Sequence, residues 1–309
     1  MFKEITTLEN EIRNFINTPR YQYNLIRDNK RWNQLCSSLD IIGDTTLAIE
    51  SYYNGKWPSD TGMQYLLIYG LLQAIFIQQD ALKHIAEALD INLELDAELR
   101  SIRNLRNDSI GHPTKRRAGE KQTSHFISRM SLHKDGFTLM SSTINDSTIF
   151  RNINLISIIE KQIKSVKFLL SQVVKVLKDR EKQHKEKYSH MKLMDIFPQT
   201  MSYHFSKVFE GIHSKHNKTI GQIDIEYISE LYSKLKTELQ VRGEYPANEV
   251  LVYELDEIDY AIGELIKYFD ESKSSKLNDK DANIFAHFVE RKHEEIVQIL
   301  KEIDEEYSS

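Results

Sequence analysis

The chain has 309 residues, of which 40% are hydrophobic and 28% charged. That balance excludes an intrinsically disordered polypeptide and supplies apolar side chains for a core, in about two domains of roughly 150 residues each. Eleven glycines and five prolines are too few to punctuate a sandwich, barrel or propeller, so the composition points to long helices. The single cysteine, Cys36, excludes an intramolecular disulfide framework and any Cys-based zinc finger. The N-terminus has no basic-then-apolar leader and no apolar run reaches about 18 residues, so a soluble, cytoplasmic protein with no membrane segment is expected. The net charge of −5 is unevenly placed: residues 1–190 carry 27 basic and 22 acidic side chains, residues 191–309 carry 14 and 24. Residues 100–134 hold nine basic side chains against two acidic ones, Asp108 and Glu120. Such a basic island in an acidic chain implies a local anionic partner.

In chain order, Ile5, Leu8, Ile12, Phe15 and Ile16 recur at helical spacing and predict a helix over 3–17, ended by Pro19. A second helix is predicted over 21–53. A third, capped by Ser59 or Asp60 and running to Leu89, is apolar almost all round and reads as the central buried helix of a bundle. Asp96 opens a short helix over 96–110, which stops at Gly111 and Pro113. Residues 114–123 read as a basic loop. Partial alternation on either side of Asp135-Gly136 predicts a small β-hairpin at about 125–141. Asp146, Ser147 or Thr148 is expected to cap a long helix over 149–190, with a polar, solvated end. Four further helices are expected at 199–215, 222–241, 247–271 and 279–307, broken at Asn217-Lys218, at Gly243 with Pro246, and at Ser272–Asn278. The expected architecture is all-α with a small hairpin insertion: a helical bundle over 1–190, then an acidic helical domain over 191–309.

The basic island contains the segment that carries chemistry. Arg103 and Asn107 share a helix face, and Arg100 lies one turn earlier. Gly111 lets the chain leave the helix, and Pro113 drives His112 out of the right-handed helical region, so the imidazole can fold back toward Arg106 and Asn107. RNA carries its own nucleophile, the 2′-hydroxyl. A histidine can take that proton or give one to the 5′-oxygen leaving group, and an arginine fork can stabilise the pentacoordinate phosphorus. That set needs neither metal nor cofactor. One histidine per chain does not readily serve as both base and acid, whereas two chains meeting at the site supply both. The competing reading is structural: Arg106 caps the helix and His112 satisfies a last carbonyl.

Arg106-Asn107, four residues, then His112 resembles the Arg-polar-x(3–5)-His motif of the HEPN superfamily, and its place at a helix end after an apolar helix fits too. The resemblance covers roughly residues 20–190 and does not extend to residues 191–309. It implies a HEPN-like helical bundle and a metal-independent endoribonuclease with a composite active site at a homodimer interface. It further implies a toxin or antiviral-defence effector with a cognate antitoxin or defence-system partner protein. His112 would be the acid/base, Arg106 the phosphorane stabiliser and Asn107 an orienting residue. Arg100, Arg103, Lys115, Arg116, Arg117 and Lys121 would hold the RNA backbone. Where HEPN toxins paired with a nucleotidyltransferase carry a tyrosine two positions after the histidine, this chain has Thr114, so silencing through that tyrosine is disfavoured. The family also holds inactive members, and the alternative is a non-catalytic RNA-binding or protein-interaction module on the same fold.

Other groups read as structural. His213 and His216 suit a solvated helix end, and His125 and His133 read as exposed strand histidines. Glu254, Asp256, Glu257 and Asp259 suit a solvated face. Tyr65, Tyr69 and Phe76 read as core, and Cys36 as buried.

Overall fold

The structure is a computed structural model that describes residues 1–118, 121–143, 147–270 and 275–308. The chain is mostly α-helical. In order come α1 (Phe2–Ile16), α2 (Pro19–Ile26), α3 (Asn29–Asn54), α4 (Thr61–Ala88), α5 (Ala97–Arg106), β1 (Arg116–Ala118), β2 (Lys121–Ile127), β3 (Gly136–Thr143), β4 (Ile149–Asn154), α6 (Leu155–Tyr188), α7 (Met201–His213), α8 (Lys218–Arg242), α9 (Glu249–Phe269) and α10 (Asp279–Ser308). Two compact units result, one of Met1–Asn17 with Leu25–Lys178, the other of Thr18–Asn24 with Asp179–Ser309. The division falls inside α6 at Lys178/Asp179, where the sequence reading places it at 190. The helix runs through without a break, so no turn signal marks the change from one core to the other.

In the first unit the apolar stripes dictate the packing. α6 buries Ile159, Ile163, Val166, Leu170, Val173 and Leu177 at alternating spacings of four and three. α3 contributes Leu35, Leu39, Ile42 and Ile49, and α4 contributes Ile68, Leu72, Ile75, Leu82 and Ile85. A polar thread runs through this core: Gln79 Nε2 donates to Gln162 Oε1 at 2.8 Å, Gln162 Nε2 to Gln78 Oε1 at 3.0 Å, and Gln78 Nε2 to Thr46 Oγ1 at 3.1 Å. These bonds offset much of the desolvation of three fully buried amides, with Gln79 Oε1 left without a partner. α4 is long and apolar enough to cross a membrane by length and composition, although Gln64, Gln73, Gln78 and Gln79 interrupt its apolar run, and half of its most apolar stretch is buried inside the unit. Its first turns expose Met63, Leu66 and Tyr69, so it is a core helix along its second half and not throughout.

The region expected to be a loop and a hairpin is a four-stranded antiparallel meander in sequence order. Residues 116–118 pair with β2, and residues 129–131 form a 3-10 turn, not a strand. The tight turn closes between His133 and Gly136, whose backbones exchange hydrogen bonds at 3.0 and 3.1 Å. Gly136 is there for space: a Cβ would lie 1.9 Å from the Ile153 carbonyl oxygen of β4. β4 takes the first six residues expected in the long helix. Asn154, whose Oδ1 accepts from the Ser157 N–H at 2.9 Å, caps α6 in place of Ser147 or Thr148; Asp146 lies outside the described residues. The helix expected over 21–53 is broken at Asp28, which accepts from the Lys30 and Arg31 N–H groups and starts α3. Residues 272–274 of the last expected break lie outside the described residues, as does Glu120.

The second unit packs α7 to α10 around Tyr232, Leu235, Leu239, Leu251, Leu255 and Leu300. Arg242, 1% exposed, is held by Glu238 at 3.0 Å and the Met191 carbonyl at 2.5 Å, with Tyr188 and Tyr307 rings 5.4 and 5.6 Å away. The acidic face expected at 254–259 is engaged with lysines. Lys292 pairs with Glu254 at 2.5 Å and Glu257 at 2.8 Å, and Lys236 pairs with Asp259.

Candidate functional site

α5 is set by its ends. Asp96 accepts from the Leu99 N–H at 2.7 Å and starts the helix, and Leu99, Ile102 and Leu105 face the core. That places Arg100, Arg103, Asn104 and Asn107 on the outer side, where they line a groove of about 760 Å³ together with Lys83, Glu87 and Glu94. The helix does not end at Arg106. It widens into one π turn over Asn107–Gly111, closed by the His112 N–H donating to the Asn107 carbonyl at 2.8 Å. Single π turns of this kind concentrate at functional positions, since one extra residue per turn re-aims the side chains around it. His112 leaves the helix with φ −138° and ψ 51°, outside the right-handed helical region that Pro113 disfavours. Its imidazole is exposed.

The Arg106 guanidinium is fixed on three sides. Nη2 donates to Gln73 Oε1 at 2.6 Å, Nη1 donates to Asn107 Oδ1 at 3.1 Å, and the group lies 4.2 Å over the Phe76 ring. Arg103 stands over the same ring at 4.0 Å and pairs with Asp80 at 2.7 Å. Gln73, Phe76 and Asp80 form one stripe of α4, at spacings of three and four, facing the arginines of α5. Gly111 serves this arrangement by its size: a Cβ there would stand 2.5 Å from Arg106 Nη1. The two fork bonds use two of the five guanidinium N–H donors.

Beneath the turn lies a second polar cluster. Asp108 is buried, pairs with Arg116 and with Arg151 Nη2 at 2.9 Å, and lies 3.5 Å from His125 Nε2. His125 Nδ1 meets Ser141 Oγ at 2.9 Å. Burial pushes the His125 pKa down; Asp108 opposes this, and Arg151 and Arg116 add to it, so the ring is neutral near pH 7. His125 is therefore a buried hub of the sheet and not the exposed strand residue expected, whereas His133 is exposed.

The proposed RNA-contacting residues thus divide. Lys115 is exposed. Arg100 donates to the Leu95 carbonyl at 2.6 Å and stays on the groove wall. Arg103 is shared with Asp80. Arg116 is committed to Asp108 and to Asn104, whose carbonyl and side-chain oxygens it reaches at 3.0 Å each. The strand positions of Arg117 and Lys121 lie in β1 and β2. Outside this site, His213 and His216 are both exposed, Cys36 is half-buried and not buried, and Tyr69 is exposed while Phe76 lies under the two arginines. Gln73, Asp80, Asp108 and Arg151 escape a sequence reading of the site. Only the 73/76/80 spacing on one face of α4 could have pointed to the first two.

No protein-family model, curated protein or solved structure matches the chain.

Proposed function

We propose that the chain is a metal-independent endoribonuclease of the HEPN type, with Arg106, Asn107 and His112 as its reacting site. The observation that carries this reading is the π turn. It follows an arginine fork, preset by Gln73 and Asn107 and within six residues of a solvent-facing imidazole, and its Asn107 lines a groove with Lys83, Arg100 and Arg103 and with Glu87 and Glu94. In the proposed reaction the 2′-hydroxyl attacks the adjacent phosphorus and gives its proton to one His112. The bond from phosphorus to the 5′-oxygen breaks, and that oxygen takes a proton from the His112 of a second copy. The products are a 2′,3′-cyclic phosphate and a 5′-hydroxyl. Arg106 stabilises the phosphorane charge, and Asn107 orients Arg106 through the 3.1 Å bond. The homodimer follows from the need for both an acid and a base. The resemblance extends the reading to a toxin or antiviral-defence effector held by a cognate antitoxin or other defence partner.

A second reading is favoured by the same fork: a guanidinium already held on Gln73 and Phe76 also suits a helical module that binds RNA or protein without cutting. Titrating the wild-type chain with excess His112→Ala separates the two. Because the proposed reaction uses two His112 imidazoles, RNA cleavage that falls with the square of the wild-type fraction supports a shared site across a two-fold axis. Absence of cleavage by the wild type, with RNA binding retained, supports the binding module.

A further inference from the structure

The solvent face of the sheet carries a row of side chains that the proposed site does not use. Phe126 of β2 is paired with Met140 of β3, and Met140 with Phe150 of β4. Directly paired residues project from the same face, so the three form one line across three strands. Phe126 is 54% and Phe150 64% exposed. Two inter-strand spacings put their backbones about 9–10 Å apart. Thr138 and Asn152 share this face and are joined by a 2.9 Å hydrogen bond from the Thr138 hydroxyl to Asn152 Oδ1. The opposite face holds buried Phe137 and Leu139, with His125 and Ser141 against Asp108.

We propose that this face is a stacking platform for the bases of single-stranded RNA, which rests on the reading of the chain as an RNA-directed protein. Three arguments select RNA as the occupant. Exposed aromatic rings on a sheet offer a π-face to any base at little entropy cost, and alternating polar groups such as Asn152 can meet base edges. The charge is complementary: residues 100–154, which include the platform, hold ten basic and four acidic side chains. One of those acids, Asp108, is neutralised by Arg116 and Arg151, while Lys115 and Arg129 are exposed. The strand that carries Phe126 is also joined to the segment after the reacting turn, although the platform lies on its opposite face. The His125 N–H donates to the Pro113 carbonyl at 2.6 Å, so Phe126 is the next residue along the strand from a contact with the neighbour of His112.

The test uses the full-length chain with His112→Ala, so that RNA survives, and measures anisotropy of a short fluorescein-labelled oligouridylate and of a duplex RNA. Phe126→Leu with Phe150→Leu keeps the strands apolar and removes the π-faces. It is expected to weaken oligouridylate binding about ten-fold per ring, with the salt slope unchanged because no phosphate contact is lost. Phe126→Tyr with Phe150→Tyr is expected to bind like the parent. Oligouridylate binding unchanged by the leucine pair overturns the platform. So does a leucine pair that alters the sedimentation mass of the free protein and leaves RNA binding intact, which makes the face a protein interface. Failure of the ribonuclease reading appears instead as absent cleavage by the wild-type chain, and leaves the binding comparison standing.

Discussion

Gly111 leaves no room for a methyl group, because the space a Cβ would take is held by the Arg106 guanidinium 2.5 Å away. The residue is small so that the fork can lie against the turn, whereas the sequence reading assigned it only freedom to leave the helix. Gly111→Ala is therefore expected to displace the fork from Gln73 and Asn107 and to lower RNA cleavage about 10–100-fold, with circular dichroism unchanged; normal cleavage by this variant would show that the fork position is irrelevant. Arg106→Lys is expected to lose as much, since an ammonium cannot replace two fixed N–H directions. The spacing of Arg106, Asn107 and His112 is legible in the sequence because helix ends and proline follow local rules. Gln73 and Asp108 are not, because their roles arise from α4 and the sheet packing against the turn, which no local pattern records.

At the level of elements, the sheet locks the turn from below. Asp108 is buried between Arg116 of β1, Arg151 of β4 and His125 of β2, so one carboxylate ties three strands to the π turn. Asp108→Ala removes the buried carboxylate from the partly exposed Arg116 and the exposed Arg151 and is expected to cost about 1–2 kcal/mol in urea unfolding. Asp108→Asn keeps the shape and some hydrogen bonds and is expected to cost less; equal stability of all three chains would contradict the lock. The helices of both units are legible in the sequence because their apolar residues keep a helical period, as Ile159 to Leu177 do. The strands are not. Arg116, Arg117 and Lys121 read as a loop because a short edge strand rich in charge has no apolar alternation, and Ile149 to Asn154 read as helix because the run joins α6 without a break. Asn154 is the cap signal that separates them, and Ser147 and Thr148 offer the same chemistry earlier in the chain.

At the scale of the whole molecule the two units differ in charge and in their buried histidines. In the second unit His293 lies against Phe197 and Phe205 with its Nδ1 2.9 Å from the Tyr232 hydroxyl, and burial pushes its pKa down to about 4. Burial, with Arg20 and Lys187 nearby, pushes His184 down to about 4 as well. The unfolded chain takes protons at these positions below about pH 6.5 that the folded chain refuses, so stability is full above that pH and falls as pH drops toward 4. His293 alone is expected to cost about 2 kcal/mol between pH 7 and pH 5, a window in which the carboxylates with lowered pKa, such as Asp96 and Glu257, contribute little. Urea unfolding at the two pH values checks this, and equal stability would contradict it. The most direct test of the whole account is the end chemistry of RNA cut by the purified chain in EDTA, with His112→Ala beside it. The account predicts 2′,3′-cyclic phosphate and 5′-hydroxyl ends from the wild-type chain, with cleavage lowered about 10²–10⁴-fold in the variant. Cleavage that requires magnesium, leaves 5′-phosphates, or survives in His112→Ala would contradict it.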